Sequence, residues 1–440
     1  MHTLILLGYA IVGAALASLL ACVPALHVYN VAGLIILAGG RLAGVFPSGE
    51  TLAMFLLGMV TGYATVNTVP SIFFSAPDDS TAFVVLPGQK YLMQGRGYEA
   101  AALTGVGGLG GLLAVVAFSP LASSVFPALR AIISPHLGWI LAAVIAFMLM
   151  SEWPKSGDHA KTPLGRLAGA WKGLGAGLLT FALSGLLGFV LMYRSVVPTE
   201  VAFQNLLPAF VGLFAIPGVI QNIISRTSIP RQHIAASLDV TPSLWARGVL
   251  AGLLGGGFAA FFPVVTGGIG GLLAGHATAQ RDDRLFILSQ GASKAVYYVG
   301  GFLLFFVPGL GLTRGGMAWM LSTLYAPGTP QVYFTAVAGV ALAGAVSFFL
   351  LLGLSRAAVA LIRRVNYRWI SAFTLGVLVV LVSALTGPGG LLTTLAATGI
   401  GLLPVAFGCR KMNCMGVLLA PITLSMAGVG PGVAHMLGLI

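Results

Sequence analysis

Residues 1–40 of this chain carry no Asp, Glu, Lys or Arg, and neither do 51–77, 100–129, 173–193, 248–280, 315–355, 369–409 or 412–440. A helix needs about 20 consecutive apolar residues to cross a bilayer, so each of these stretches holds one or two crossings. Hydrophobic residues make up 58% of the 440 and charged residues 7%, which excludes the soluble globular class. The strict polar/apolar alternation of an outer-membrane barrel is missing. The expected fold is an all-α polytopic membrane protein of about 10–12 transmembrane helices.

The net charge of +12 comes from basic residues that flank apolar segments. That placement reads as membrane topology and not as a nucleic-acid surface. Residues 152–172, with Lys155, Lys161, Arg166 and Lys172, and residues 356–368, with Arg356, Arg363, Arg364 and Arg368, are expected on the cytoplasmic side. The chain is accordingly a multi-pass protein of the cytoplasmic (cell) membrane. Its first stretch lacks a basic n-region and reads as a retained helix. Cys22, Cys409 and Cys414 show no metal-ligand spacing, so no metal and no cofactor is expected.

Two passages, 58–100 and 252–296, begin as apolar helices, meet proline, glycine or polar residues, and end in charge. Lipid cannot satisfy the backbone groups freed by such breaks, so the broken backbone must be buried in protein or line a cavity. The breaks occupy matching places. Pro47 and Pro242 open the preceding helices 195 residues apart, and Pro70 and Pro263 mark the breaks 193 apart. Ser48 is expected to cap the first of these helices, with Glu50 in its first turn, and Asp239 or Thr241 the second. Paired broken or re-entrant helices in two halves are the mark of a secondary transporter built as an inverted repeat, with its site where the breaks meet. The halves are read as 1–165 and 166–355, with 369–440 as an appended helical bundle that supports the core or forms a homodimer. Gly105, Gly108 and Gly111 are expected to share a helix-packing face.

Polar atoms at the breaks form the candidate site. Asn67, Thr68, Ser71 and Ser75 in the first passage, and Thr266, Gly267, Gly268, Gly270 and Gly271 in the second, are expected to bind an anion through hydroxyls, the amide and accessible backbone N–H groups. The same hydroxyls would serve equally to satisfy a kinked backbone, and the glycines to pack helices. Asp78 and Asp79 are candidate ion-coupling groups for H⁺ or Na⁺, or else helix-capping acids. Lys90, Arg96, Arg281, Arg284 and Lys294 lie beyond the breaks and are expected to guide an anion to the mouth. His276 reads as an interfacial hydrogen-bonder. The leading function is ion-gradient-driven transport of a small organic anion. Translocation of a lipid-linked phosphate, such as polyprenyl phosphate, between leaflets is the alternative. An enzyme acting on a lipid through Asp78, Asp79 or His276 lacks a recognisable nucleophile or metal set, and no Walker, G-x-S-x-G or H-E-x-x-H motif is present.

Three stretches, PSIFFSAPDDSTAFVVLPGQKYLMQGRGYEA at 70–100, RDDRLFILSQGASKA at 281–295 and GLLPVAFGCRKMNCMGVLLAPITL at 401–424, give the chain a family resemblance. It resembles the archaeal and bacterial branch of the TctA-like (domain of unknown function 112) membrane proteins, related to the large subunit of tripartite tricarboxylate transporters. The resemblance implies a carboxylate site between the broken passages, an ion gradient as driving force, and a periplasmic binding protein and small membrane subunit as partners. The chain departs from the family pattern where Pro70-Ser71 replaces a P-G-x-G break, and where the run Pro263 to Gly268 replaces a PGIGP-like turn.

Overall fold

Three long helices of this chain begin where threonine precedes proline. Thr162-Pro163, Thr241-Pro242 and Thr329-Pro330 each open one, the threonine hydroxyl accepting the N–H of Gly165, Leu244 or Val332 at 3.1, 3.3 and 3.4 Å. Proline fits the first turn because its missing N–H would be unpaired there anyway, and the hydroxyl takes one of the orphan donors. Ser48 caps its helix as expected, accepting the Thr51 N–H at 3.2 Å while the Thr51 hydroxyl oxygen accepts the Ser48 N–H. Of the two caps expected before Pro242, Thr241 holds the position and Asp239 instead pairs with Arg284.

The computed structural model describes residues 1–38, 42, 44–78, 80–81, 85–152, 162–194, 196–198, 204–225, 228–280 and 282–440. All regular structure among these residues is helical. The first helices are α1 (His2–Leu20), α2 (Val28–Leu37), α3 (Gly49–Val66), α4 (Thr68–Phe73), α5 (Val85–Met93), α6 (Gly97–Phe118), α7 (Ala122–Ile133), α8 (Leu137–Met150) and α9 (Pro163–Tyr193). There follow α10 (Leu206–Phe210), α11 (Ile216–Ser225), α12 (Pro242–Phe261), α13 (Gly267–Ala277), α14 (Asp283–Ala295), α15 (Gly301–Leu303) and α16 (Gly315–Ser322). The last are α17 (Pro330–Arg364), α18 (Tyr367–Phe407), α19 (Gly416–Met426) and α20 (Gly430–Met436). Single π-helical turns sit at Val211–Ala215 and Val296–Gly300.

Among the described residues, eight helical stretches are long and apolar enough to cross a membrane, or nine if the bent pair at Lys411–Met426 and Gly430–Met436 is one span. The figure lies below the expected ten to twelve for two physical reasons. Gly97–Met150 runs 54 residues and Tyr367–Phe407 runs 41, yet each counts once; the second is interrupted at Gly387, whose φ of +67° only glycine adopts readily. In addition, α5 and α13 of the broken passages are too short to cross alone, and α4 is counted with α3 in Gly49–Phe73.

By packing, one unit comprises Met1–Arg130 with Asn222–Thr374, and the other Ala131–Gln221 with Leu375–Ile440. In the first unit, glycine lets backbones meet. A Cβ on Gly58 would lie 1.9 Å from the Ala10 carbonyl oxygen of α1, and one on Gly270 would lie 2.1 Å from that of Gly255 in α12. The helices α6 and α14 cross in the same way, with Gly107 against Leu288 and Gly291 against Thr104. Among the glycines expected on one face of α6, Gly108 and Gly111 face α14, but Gly105 packs on Leu351 and Phe348 of α17. Gly107 makes the closest approach to α14 that Gly105 does not. With apolar lipid outside, such close contact is what holds membrane helices together. Gly291→Ala, whose Cβ would meet the Thr104 carbonyl oxygen at 2.1 Å, is expected to cost about 1–3 kcal/mol of stability. A thermal-melting scan in detergent checks this, and an unchanged midpoint would show that the crossing yields freely.

A polar connector ties down the end of the first passage. The Gln232 amide oxygen accepts the Gly97 N–H at 2.9 Å, and its nitrogen donates to the Leu92 carbonyl at 2.8 Å. The His233 N–H donates to the Gly95 carbonyl at 2.7 Å, and Gly95 itself has φ +77°. These bonds fix the turn from α5 into α6. In the second unit, Gly188 and Val417 bring α9 and α19 together, and Glu152 accepts the Arg410 N–H and the Asn413 amide at 2.7 and 2.9 Å.

Candidate functional site

The first passage breaks at Asn67. Helix α3 ends there, α4 adds six residues with Pro70 inside, and from Phe74 to Asp78 the chain is not helical. Ser75 takes a left-handed φ of +56°. This irregular stretch delivers Asp78 back onto the break. Its Oδ2 accepts from the Tyr63 hydroxyl and the Asn67 amide, both at 2.7 Å. Its Oδ1 accepts from the Ser80 N–H and hydroxyl at 3.0 and 2.8 Å, and from the Thr81 N–H and hydroxyl at 2.8 and 2.7 Å. Every one of these partners donates, so the ionised carboxylate is held in place by side chains and a local turn.

The second passage breaks after Phe261. Pro263 and a left-handed Val264 (φ +55°) precede α13. A β-branched residue at that φ is strained, the cost of redirecting the chain being of order 1–3 kcal/mol. The first intrahelical bond of α13 runs from the Gly270 N–H to the Thr266 carbonyl at 2.9 Å. The N–H groups of Gly267, Gly268 and Ile269 therefore have no acceptor within the helix, at the end where the helix carries partial positive charge.

Helix α14 lies along this start. A Cβ on Gly267 would meet the backbone of Lys294, and one on Gly271 would meet the side-chain amide of Gln290. The Ser293 hydroxyl donates to the Gly267 carbonyl at 2.8 Å. Lys294, only 2% exposed, sends its ammonium to the Asn67 Oδ1 at 2.6 Å. One amide thus joins the passages, accepting from Lys294 through oxygen and donating to Asp78 through nitrogen. The two bonds fix which way the amide points.

A third segment completes the cluster. Between α1 and α2, His27 places Nε2 3.0 Å from the Tyr298 hydroxyl, and the Tyr298 hydroxyl lies 3.4 Å from Asp78 Oδ2. The Tyr29 N–H donates to His27 Nδ1 at 3.2 Å, so in the neutral ring the proton sits on Nε2. His27, Tyr298 and Asp78 then form a line of hydrogen bonds. The Tyr63 and Tyr298 rings pack edge to face at 5.7 Å against it.

The sequence matches the model of the tripartite tricarboxylate transporter TctA family over residues 7–416. The chain belongs to this family. It is also 28% identical over 430 residues to an uncharacterized protein of Methanocaldococcus jannaschii, the alignment covering 94% of this chain and 98% of the relative. No solved structure matches it. This TctA-family chain is a membrane protein of the transport class.

The TctA-family chain brings Asn67, Asp78 and Lys294 together, with Gly267 against the backbone of Lys294. It uses Ser71 locally, its hydroxyl lying 2.9 Å from the Asn67 carbonyl and 2.7 Å from the Thr81 hydroxyl. Ser75 bonds to Tyr367 at 3.2 Å and to Gln89. The Thr68 hydroxyl is buried and has no partner among the described residues. Gly268, Gly270 and Gly271 are buried, as is Thr266. Three of the expected anion attractors are ion-paired: Lys90 with Asp283, Arg96 with Glu99 at 2.6 Å, and Arg284 with Asp239 and with Asp282, the latter at 3.1 Å. The Arg284 guanidinium holds the Asp282 carboxyl below the usual carboxylate range. Lys294 differs from these in being interior. The His276 Nδ1 lies 2.9 Å from the Leu272 carbonyl of its own helix. Asp79 and Arg281 lie outside the described residues, as do 153–161 of the expected cytoplasmic loop.

Sequence reasoning missed His27, Tyr63, Tyr298 and Gln290. A signal for two of them was available. Gln290, Lys294 and Tyr298 recur every fourth residue, a polar stripe along one face of a helix whose neighbours are apolar or small.

Proposed function

We propose that this protein carries a small di- or tricarboxylate across the cytoplasmic membrane, driven by an ion gradient. The single observation that carries the reading is the Lys294–Asn67–Asp78 bridge between the broken passages. A buried ammonium, on a residue whose backbone passes the start of α13 where three N–H groups lack intrahelical acceptors, makes a site for an anion, and Asp78 on the far side of the amide offsets its charge when the anion is away. The substrate carboxylate accepts from Gly267, Gly268 and Ile269 and approaches Lys294 and the Thr68 hydroxyl.

Proton coupling fits the surroundings of Asp78 better than sodium. A sodium ion needs converging oxygen acceptors, whereas Asp78 is met by hydroxyl and N–H donors. Asp78 takes and releases the coupled proton, and the Tyr298–His27 line is its route. The two sequence halves, 1–165 and 166–355, serve as the transport repeats. The family's description as tripartite supports assembly with a binding protein and a small membrane subunit.

Purified protein in liposomes is expected to exchange labelled citrate or malate for the unlabelled acid. Thr266→Val keeps the branched shape but removes the hydroxyl at the start of α13, and is expected to weaken exchange about three- to tenfold, the worth of one hydrogen bond. Wild-type protein that exchanges no acid in a panel of di- and tricarboxylates would remove the proposal.

A further inference from the structure

Gln290 is 1% exposed, and neither its Nε2 nor its Oε1 has a partner among the described residues. A buried primary amide that spends none of its hydrogen-bonding capacity is rare in a folded protein, because both atoms give up water and gain nothing. Its position is informative. The amide lies where a Cβ on Gly271 would be, 2.6 Å from Oε1 and 2.7 Å from Nε2, so the absent side chain of Gly271 makes the room it occupies. Gly271 belongs to the opening turns of α13, whose first N–H groups are free of intrahelical acceptors. Lys294 follows Gln290 by four residues on the same face of α14. Gln290 and Lys294 therefore lie one turn apart against α13, the amide beside Gly271 and the Lys294 backbone beside Gly267.

Resting on the carboxylate reading above, we infer that Gln290 reads the substrate, and that the substrate is a hydroxycarboxylate. The amide has two faces, a donor in Nε2 and an acceptor in Oε1. A carboxylate offers only acceptors, which would satisfy Nε2 and leave Oε1 unpaired. A hydroxyl on the carbon next to a carboxylate supplies the missing donor, so the two groups together meet Oε1 and Nε2 at once. Lys294 and the start of α13 take the negative charge, and Gln290 takes the hydroxyl. Gln290 thus sets which acid is accepted, without moving a proton.

Matched pairs of acids test this. Malate and succinate differ by one hydroxyl, as do citrate and propane-1,2,3-tricarboxylate. In liposome exchange, the hydroxylated member of each pair is expected to compete at least about tenfold better with wild-type protein, since a site built to bond a hydroxyl rejects the analogue that lacks it. Gln290→Met keeps length and volume and is expected to bring that ratio to about one, because malate gives up the bonds to both amide atoms whereas succinate gives up only the one to Nε2. Gly271→Ala pushes the amide aside from the other helix and is expected to do the same, which keeps the test open if Gln290→Met fails to fold. Equal competition by both members in wild type, or a wild-type ratio retained by either folded variant, would overturn the role of Gln290 while leaving carboxylate transport standing. Absence of exchange with any of the four acids would overturn both.

Discussion

Replacing Lys294 by methionine is expected to abolish transport and to lower stability by about 3–5 kcal/mol, the cost of removing one member of a buried charged set. Methionine fills a similar volume, so packing is largely kept and the loss is electrostatic. The Asn67 Oδ1 loses its donor, and Asp78 keeps a negative charge without the Lys294 ammonium that offset it through Asn67. The double variant Lys294→Met with Asp78→Asn removes both charges and is expected to melt above Lys294→Met alone, although still without transport. Strict additivity of the two melting shifts would mean that the groups do not sense each other through Asn67. A Lys294→Met protein with wild-type melting and uptake would show that the buried ammonium has neither role.

Asp78→Asn alone separates coupling from movement. With membrane potential held at zero, one proton carried per substrate lets a gradient of one pH unit accumulate substrate about tenfold, because one pH unit is worth about 1.4 kcal/mol. Wild type is expected to reach that ratio. The asparagine variant keeps the shape but cannot titrate, so it is expected to equilibrate substrate to a ratio of about one while still exchanging labelled for unlabelled acid. One of its two side-chain atoms becomes a donor facing donors, Tyr63 and Asn67 or Ser80 and Thr81. Some slowing of exchange therefore accompanies the loss. Full accumulation by Asp78→Asn would assign the coupling elsewhere, and accumulation that follows a sodium gradient instead would replace the proton in this scheme.

Local chemistry explains what was legible in the sequence. Ser48 and Thr241-Pro242 announce helix starts through the capping and first-turn preferences of those residues, and both helices begin there. The breaks at Asn67 and after Phe261 follow from proline and polar residues at membrane depth, and Asn67 with Asp78 stands at the centre of the site. What escaped depends on tertiary approach. His27 lies 271 residues before Tyr298, and nothing local to either announces the other. Lys294 follows a charged strip and so reads as a residue of the mouth, yet the helix it sits on runs inward and buries it. The glycines of α6 show the same limit: spacing says that they pack, but Gly105 and Gly111 meet different helices.

A carboxylate resting on the start of α13 beside Lys294 would cover backbone amides that the protein leaves without acceptors in their own helix. Amide hydrogen exchange in the peptide spanning Val264 to Gly271, with and without citrate or malate, measures this most directly. The N–H groups of Gly267, Gly268 and Ile269 lack acceptors in their own helix, and a bound carboxylate supplies them. Slower exchange at these three positions on ligand binding is the predicted result, lost in Lys294→Met. Exchange there that is unchanged while a saturating carboxylate protects other segments would contradict the account.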